Sequence, residues 1–217
     1  MQKKIMCFVI ALMMTGLVFA EKTKVHGIGI SVPLEWQFWH ADDILKNQTF
    51  SNVGVNLNYK AMSIHGERLA GFSAIYEIQL GYFYGKSSKN NLSYNSFDFF
   101  NMKWGWGIAF RPNSKIILST HVTLGYDMKL LWNQDDSPLP PDFTLRVGQD
   151  FVFVYKFTER FGISAGIDAY VPVIGMGFER TREEDSSRSK GYKEKMNNYT
   201  IYGGFGCDLK IGVCWVY

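Results

Sequence analysis

Hydrophobic and polar residues alternate along most of this chain with a period of two. In "FNMKWGWGIAF", Phe100, Met102, Trp104, Trp106, Ile108 and Phe110 share one parity, and Asn101, Lys103, Gly105, Gly107 and Ala109 share the other. That period belongs to a β-strand with one apolar face. Seven further segments repeat it. The first carries Ile28, Ile30, Val32, Leu34 and Trp36 on its apolar face, and the second Val53, Val55, Leu57 and Tyr59. The third runs from Phe72 to Tyr84, the fifth from Ile116 to Trp132, the sixth from Phe143 to Tyr155 and the seventh from Phe161 to Val171. The eighth ends in "LKIGVCWVY", where Leu209, Ile211, Val213, Trp215 and Tyr217 alternate with Lys210, Gly212 and Cys214.

The connections between these segments alternate in length. "HGER", "RPNS" and "TERFG" are tight and built from turn residues and charges. The other four connections, over 37–51, 85–96, 133–142 and 179–197, are long. Short turns at one end and long loops at the other predict an all-β chain, an eight-stranded antiparallel up-and-down transmembrane β-barrel. A soluble lipocalin-like barrel has the same alternation with its apolar face turned inward. Three features argue against it: strands of about 14–18 residues, well beyond the usual length; an apolar face crowded with Trp104, Trp106, Trp132, Trp215, Tyr126 and Phe153, too bulky for an eight-stranded interior; and a polar face of small residues with charges of both signs. The rings are therefore expected to face lipid, with Trp215 and Tyr217 in one interfacial girdle and Trp36, Tyr84 and Trp132 near the other. Closure requires the last strand to pair with the first, because hydrocarbon tolerates no open edge. Pro33 and Pro172 cannot donate to a ladder and are expected above the lipid band.

Residues 1–20, "MQKKIMCFVIALMMTGLVFA", have two early lysines, a short apolar run and a small-residue end. They read as a cleaved signal peptide, too short to span a bilayer, with the barrel domain over 21–217. Of 23 basic residues the leader holds two, leaving 21 against 20 acidic residues, a net charge of +1. A near-neutral chain offers nothing to nucleic acid. Cys207 and Cys214 lie about 23 Å apart along one strand and cannot pair. No spacing of His and Cys suggests a metal, and no cofactor is expected.

On the inward parity lie Glu77, Gln79, Lys103, His121, Asp127, Lys129, Arg146, Asp150, Lys156, Asp168, Asp208 and Lys210. Confined charges of both signs must pair, and Arg146 with Asp150, or Lys103 with Glu77 or Asp127, are the expected partners. The candidate lumen or ligand residues are Glu77, Lys103, His121, Asp127, Arg146, Asp150, Asp168 and Asp208. Trp36, Phe38 and Trp39, in the first long connection, form an apolar patch that marks a binding groove or a cover over the lumen. The last long connection, "ERTREEDSSRSKGYKEK", mixes six basic and five acidic residues and reads as a solvated surface or a partner contact. Ser119 and His121 share a face, but two-residue spacing holds them about 6–7 Å apart, too far for a nucleophile and its base. The chain is not expected to be an enzyme.

Taken together, leader, eight alternating strands, four long connections and a terminal aromatic resemble the small eight-stranded bacterial outer-membrane proteins. Length and the first connection, "EWQFWHADDILKNQTF", are most similar to the OmpW-like group. The resemblance implies residence in the cell outer membrane, contact with outer-membrane lipid, and Ile211, Val213, Trp215 and Tyr217 as the signal read by the barrel-assembly machinery, although Phe is commoner than Tyr at the last position. It also implies a passive conduit for small hydrophobic or amphipathic molecules. The alternative is a non-conducting surface barrel whose loops bind a host or envelope partner.

Overall fold

A computed structural model describes residues 22–41, 48–66, 69–87, 93–133, 142–185 and 191–217. The leader expected over 1–20 lies outside the described residues. Eight strands follow one another: β1 (Lys22–Ala41), β2 (Gln48–His65), β3 (Ala70–Ser87), β4 (Ser93–Phe110), β5 (Ile116–Asn133), β6 (Asp142–Lys156), β7 (Phe161–Asp185) and β8 (Gly191–Val216). Each pairs antiparallel with its neighbour in sequence, and β8 returns to β1, so the sheet is a closed barrel. Closure leaves no edge along the wall, and alternation then sends every second side chain to the opposite surface.

Orientation is decided by exposure. Ile108 is 65% exposed, Val55 60% and Ile211 60%, whereas Glu77, Asp150 and His121 are 0% exposed. Among the described residues most large rings face outward, with Phe50, Phe83, Tyr94 and Tyr170 buried inside, and the buried charges face inward. An outer wall of Ile, Val, Leu and aromatic side chains wrapping the whole cylinder cannot be stable in water, and it matches the apolar band of a transmembrane barrel.

Strands run further than the apolar pattern alone marks. Three of the four expected long connections are largely strand: β1 continues to Ala41, β3 to Ser87 and β7 to Asp185, while β8 begins at Gly191. Above the lipid both faces of a strand meet water, so the alternation fades although the ladder persists. The patch expected in a first loop is corrected by this. Trp36, Phe38 and Trp39 lie on β1, Trp36 and Phe38 share the outward parity of Ile28 and Ile30, and Trp36 stacks on Phe205 with ring centroids 4.5 Å apart. Trp36 and Phe38 belong to the outer wall and do not cover the lumen.

Pro33 lies opposite Asp208, beside outward-facing Val32, and Pro172 lies opposite Arg146 between outward-facing Val171 and Val173. Both are buried on the inward parity, at the level of those outward-facing valines. Each is accommodated by a lapse in one ladder: β1–β2 pairing skips Val32 and Pro33, and β7–β8 pairing skips 171–174.

The β1–β8 seam is fastened at the short-turn end. Lys24 N donates to Tyr217 O at 2.7 Å, and Tyr217 N donates back to Lys24 O at 3.0 Å. His26 bridges two hydroxyls, Tyr59 at 2.6 Å and Tyr217 at 2.8 Å, and its ring stacks on Tyr217 at 5.2 Å. The phenol at 217 thus has a partner that a Phe ring would lack.

Candidate functional site: the filled lumen

The interior is stratified. At the short-turn end Val25, Met62, Ile64, Ile75, Ala109, Ile117, Val152, Val154, Cys214 and Val216 point inward and form one buried apolar cluster. Inward parity there is apolar instead of polar, so this floor is a small hydrophobic core inside the cylinder.

Above the floor lies a ring of ions. Register places Lys60 opposite Glu77 and Glu77 opposite Lys103. The Lys103 ammonium lies 3.1 Å from Glu77, 3.0 Å from Asp150 and 2.6 Å from Asp168. From the other side of the barrel Lys210 reaches Glu77 at 3.0 Å and Asp168 at 3.5 Å, with Asp208 at 3.9 Å. Lys60 completes the group, 3.7 Å from Glu77 and 3.9 Å from Asp150. Each of these lysines serves several carboxylates, as a buried charge requires when water is excluded.

Amides join this ring to a second one. Gln79 donates to Glu77 at 2.6 Å and to Asp208 at 2.9 Å, and its oxygen accepts from Asn56 and Asn101. Asn101 in turn accepts from Arg146 at 2.6 Å and donates to Asp98 at 2.8 Å. In the upper ring Lys129 lies 2.9 Å from Glu35 and 3.3 Å from Asp127, and the Arg146 Nε lies 3.0 Å from Asp127. Tyr170 donates to Glu35 at 2.5 Å, and the Arg146 guanidinium sits 4.5 Å from the centre of the Tyr170 ring. Nearer the open end, Tyr94 donates to Asn52 at 2.7 Å and packs edge-on against Phe50. Ring, amide bridge and ring fill the cross-section with interlocked polar groups.

All eight residues expected in the lumen point into it: Glu77, Lys103, Asp150, Asp168 and Asp208 in the lower ring, Asp127 and Arg146 in the upper, and His121 beneath. The partners differ in part. Lys103 meets Glu77, but Arg146 does not meet Asp150, and Lys103 does not meet Asp127. Four residues along one strand span about 13 Å, so Arg146 and Asp150 belong to different rings. Asp127 stands opposite Asn101, one step above Lys103, and takes Arg146 and Lys129 instead.

Four buried ions are missing from the expected set: Glu35, Lys60, Asp98 and Asp142. Lys60 shares the parity of Asn56 and Asn58, a signal legible in the sequence. Glu35, between Leu34 and Trp36, shares the parity of Gly29 and Ser31 and is equally legible, whereas Asp142 opens β6 just before the first apolar position the pattern marks, Phe143. Asp98 precedes a bulge between Asp98 and Phe100 that switches parity. With these included, the buried acidic and basic groups among the described residues comprise five cations and eight carboxyl groups, an acidic excess.

The Ser and His pair is not the one that spacing suggests. Ser119 donates to the Met62 sulfur at 3.2 Å, and His121 Nε2 contacts Ser73 Oγ at 2.8 Å. Ser73 and His121 are held in one row by the residue between them, Gly107, which pairs with both. A Cβ on Gly107 would strike the Thr120 carbonyl and lie 2.8 Å from the His121 Cα. Both Ser73 and His121 are 0% exposed between floor and ion ring, so the pair presents no surface to a substrate. No metal-holding group of three or more His, Cys, Asp or Glu occurs among the described residues.

No family model and no curated protein matches this chain. Solved structures do. Ail, the attachment invasion locus protein of Yersinia pestis, solved with the heparin analogue sucrose octasulfate, is 12% identical over 91% of this chain and 99% of its own, with a TM-score of 0.45. The outer membrane protein OprG from Pseudomonas aeruginosa is 8% identical over 91% and 97%, with a TM-score of 0.42. Neisserial surface protein A is 9% identical over 90% and 98%, with a TM-score of 0.40. The eight-stranded antiparallel barrel itself rests on this chain's own continuous ladder, and those structures are similar to it in fold.

Proposed function

We propose that this protein is a non-conducting outer-membrane barrel whose filled interior makes a rigid mount for its β7–β8 ribbon. The observation that carries the reading is the lumen itself, two linked ion rings standing on an apolar floor. Passage of even a small solute would require breaking contacts of 2.6–3.1 Å that hold buried charges, at a cost of several kcal/mol for each ion left unpaired. The conduit for small hydrophobic molecules implied by the OmpW resemblance would need these layers to part.

With the interior occupied, the element among the described residues that reaches furthest to meet another molecule is the ribbon. Among the described residues, β7 beyond Met176 pairs only with β8, and β8 before Tyr199 pairs only with β7. Among the described residues the two strands therefore continue as a two-stranded sheet with no third strand on either edge, a geometry that suits contact with a protein partner outside the cell.

Recordings from planar bilayers with the refolded protein test the closed lumen. No stepwise current is expected across the usual voltage range. Reproducible unitary steps, or uptake of a small solute into protein-loaded liposomes, would return the barrel to the conduit reading.

A further inference from the structure

The outer wall has one flaw. Among the described residues, the outward positions between the two interfaces are aliphatic or aromatic on every strand, with Cys207 on β8 and with two exceptions. Thr120 on β5 interrupts the series Ile116, Leu118, Val122, Leu124, and Gln149 on β6 interrupts Leu145, Val147, Phe151, Phe153. The two exceptions are neighbours, and Gln149 Nε2 donates to Thr120 Oγ1 at 2.5 Å. One bond does not satisfy them. A carboxamide offers two donors and two acceptor sites, so the Gln149 oxygen and its second N–H are left facing acyl chains. Hydrocarbon supplies neither donor nor acceptor, and unsatisfied polar groups there are costly.

Beside this pair the wall is hollow. A depression of 630 Å³ is lined by Ile108, Phe110, Thr120, Phe153, Ala165 and Leu209 among others. In the ladder the small Ala165 sits between Phe153 and Ile211, so a large ring stands next to a gap.

We infer that this face, centred on Thr120 and Gln149, is where a second copy of the same chain docks within the membrane. Two copies inserted in the same direction are related by a two-fold axis along the bilayer normal, and rotation about that axis keeps every atom at its own depth. Gln149 therefore meets the Gln149 or Thr120 of its twin at one level. Carboxamides are self-complementary, each giving a donor and an acceptor, as an isologous contact requires. The same rotation brings Phe153 of one copy toward the Ala165 gap of the other. Polar side chains often act in this way as the adhesive between membrane segments that lipid would otherwise keep apart.

Cross-linking of the full chain in native membranes tests this. With Cys207 and Cys214 changed to Ser, Val147→Cys places a reporter one outward step from Gln149, and Val55→Cys places one on the far side of the barrel. A short bifunctional maleimide is expected to join Val147→Cys into a species of twice the mass and to leave Val55→Cys single. Adding Gln149→Leu to Val147→Cys should cut the joined fraction about tenfold, since two amide bonds are lost, while heat-modifiable migration on gels shows that the barrel remains folded. No joined species from Val147→Cys, equal joining from Val55→Cys, joining to a different protein, or joining unaffected by Gln149→Leu would each overturn the inference.

Discussion

The two surfaces of one wall solve opposite problems. Among the described residues the inner face must place thirteen acidic and basic side chains, and His65 and His121 besides, where water is excluded, and it does so with lysines shared among carboxylates and amides that link one ring to the next. The outer face must present nothing that needs a partner, and between the two interfaces it fails only at Thr120 and Gln149 among the described residues. Inside, a missing partner damages the molecule. Outside, an unmatched group attracts another one. Parity decides which rule a residue obeys, and a single bulge or a shifted register would exchange the two.

That contrast can be broken by substitution, and the largest effect belongs to the inner face. Lys103→Met leaves Glu77, Asp150 and Asp168 without their shared cation, and the barrel should lose about 4 kcal/mol in urea unfolding from lipid vesicles. An unchanged transition would show that water reaches the ring. On the outer face a charge is the damaging element. Leu57→Lys, at an outward position that is 56% exposed, should cost about 3 kcal/mol in the same vesicles. Asn58→Lys, one residue along, buried on the inward parity and opposite Gln79, tests parity by contrast: the acidic excess of the lumen should make it less costly than Leu57→Lys in the same unfolding measurement. Gly107→Ala should cost about 2 kcal/mol, because the new methyl meets backbone and not a movable side chain. If it is neutral, the close approach of Ser73 and His121 through Gly107 is not needed. The smallest change is expected from Tyr217→Phe, which removes the bond to His26 at an exposed site and should shift the transition by about 1 kcal/mol or less.

The difference between what can and cannot be read from sequence follows from the same contrast. Strand number, closure and the lumen positions from Glu77 to Asp208 follow from a period of two, which a half-apolar strand cannot disguise. Strand length does not follow, because the period is visible only where one face meets lipid; β7 and β8 therefore extend through a stretch that reads as a charged loop, and Phe38 moves from loop to wall. Pairings depend on register. Arg146 takes Asp127 across a strand boundary and not Asp150 on its own strand, and His121 finds Ser73 across Gly107, a contact between residues 48 apart in sequence. Thr120 and Gln149 are the two breaks in otherwise regular series. Only the ladder shows that the breaks coincide.

Every part of this account depends on rings that look outward and charges that look inward. Tryptophan fluorescence in vesicles made with acyl chains brominated at mid-depth measures that orientation directly, because bromine quenches only indoles that touch it. Trp104 and Trp106, in a variant with the other four tryptophans replaced by Phe, should be strongly quenched by the brominated lipid and insensitive to iodide in the buffer. Emission untouched by bromine, with the processed protein remaining in detergent-free solution, would mean that those indoles lie inside and that the barrel has been read inside out.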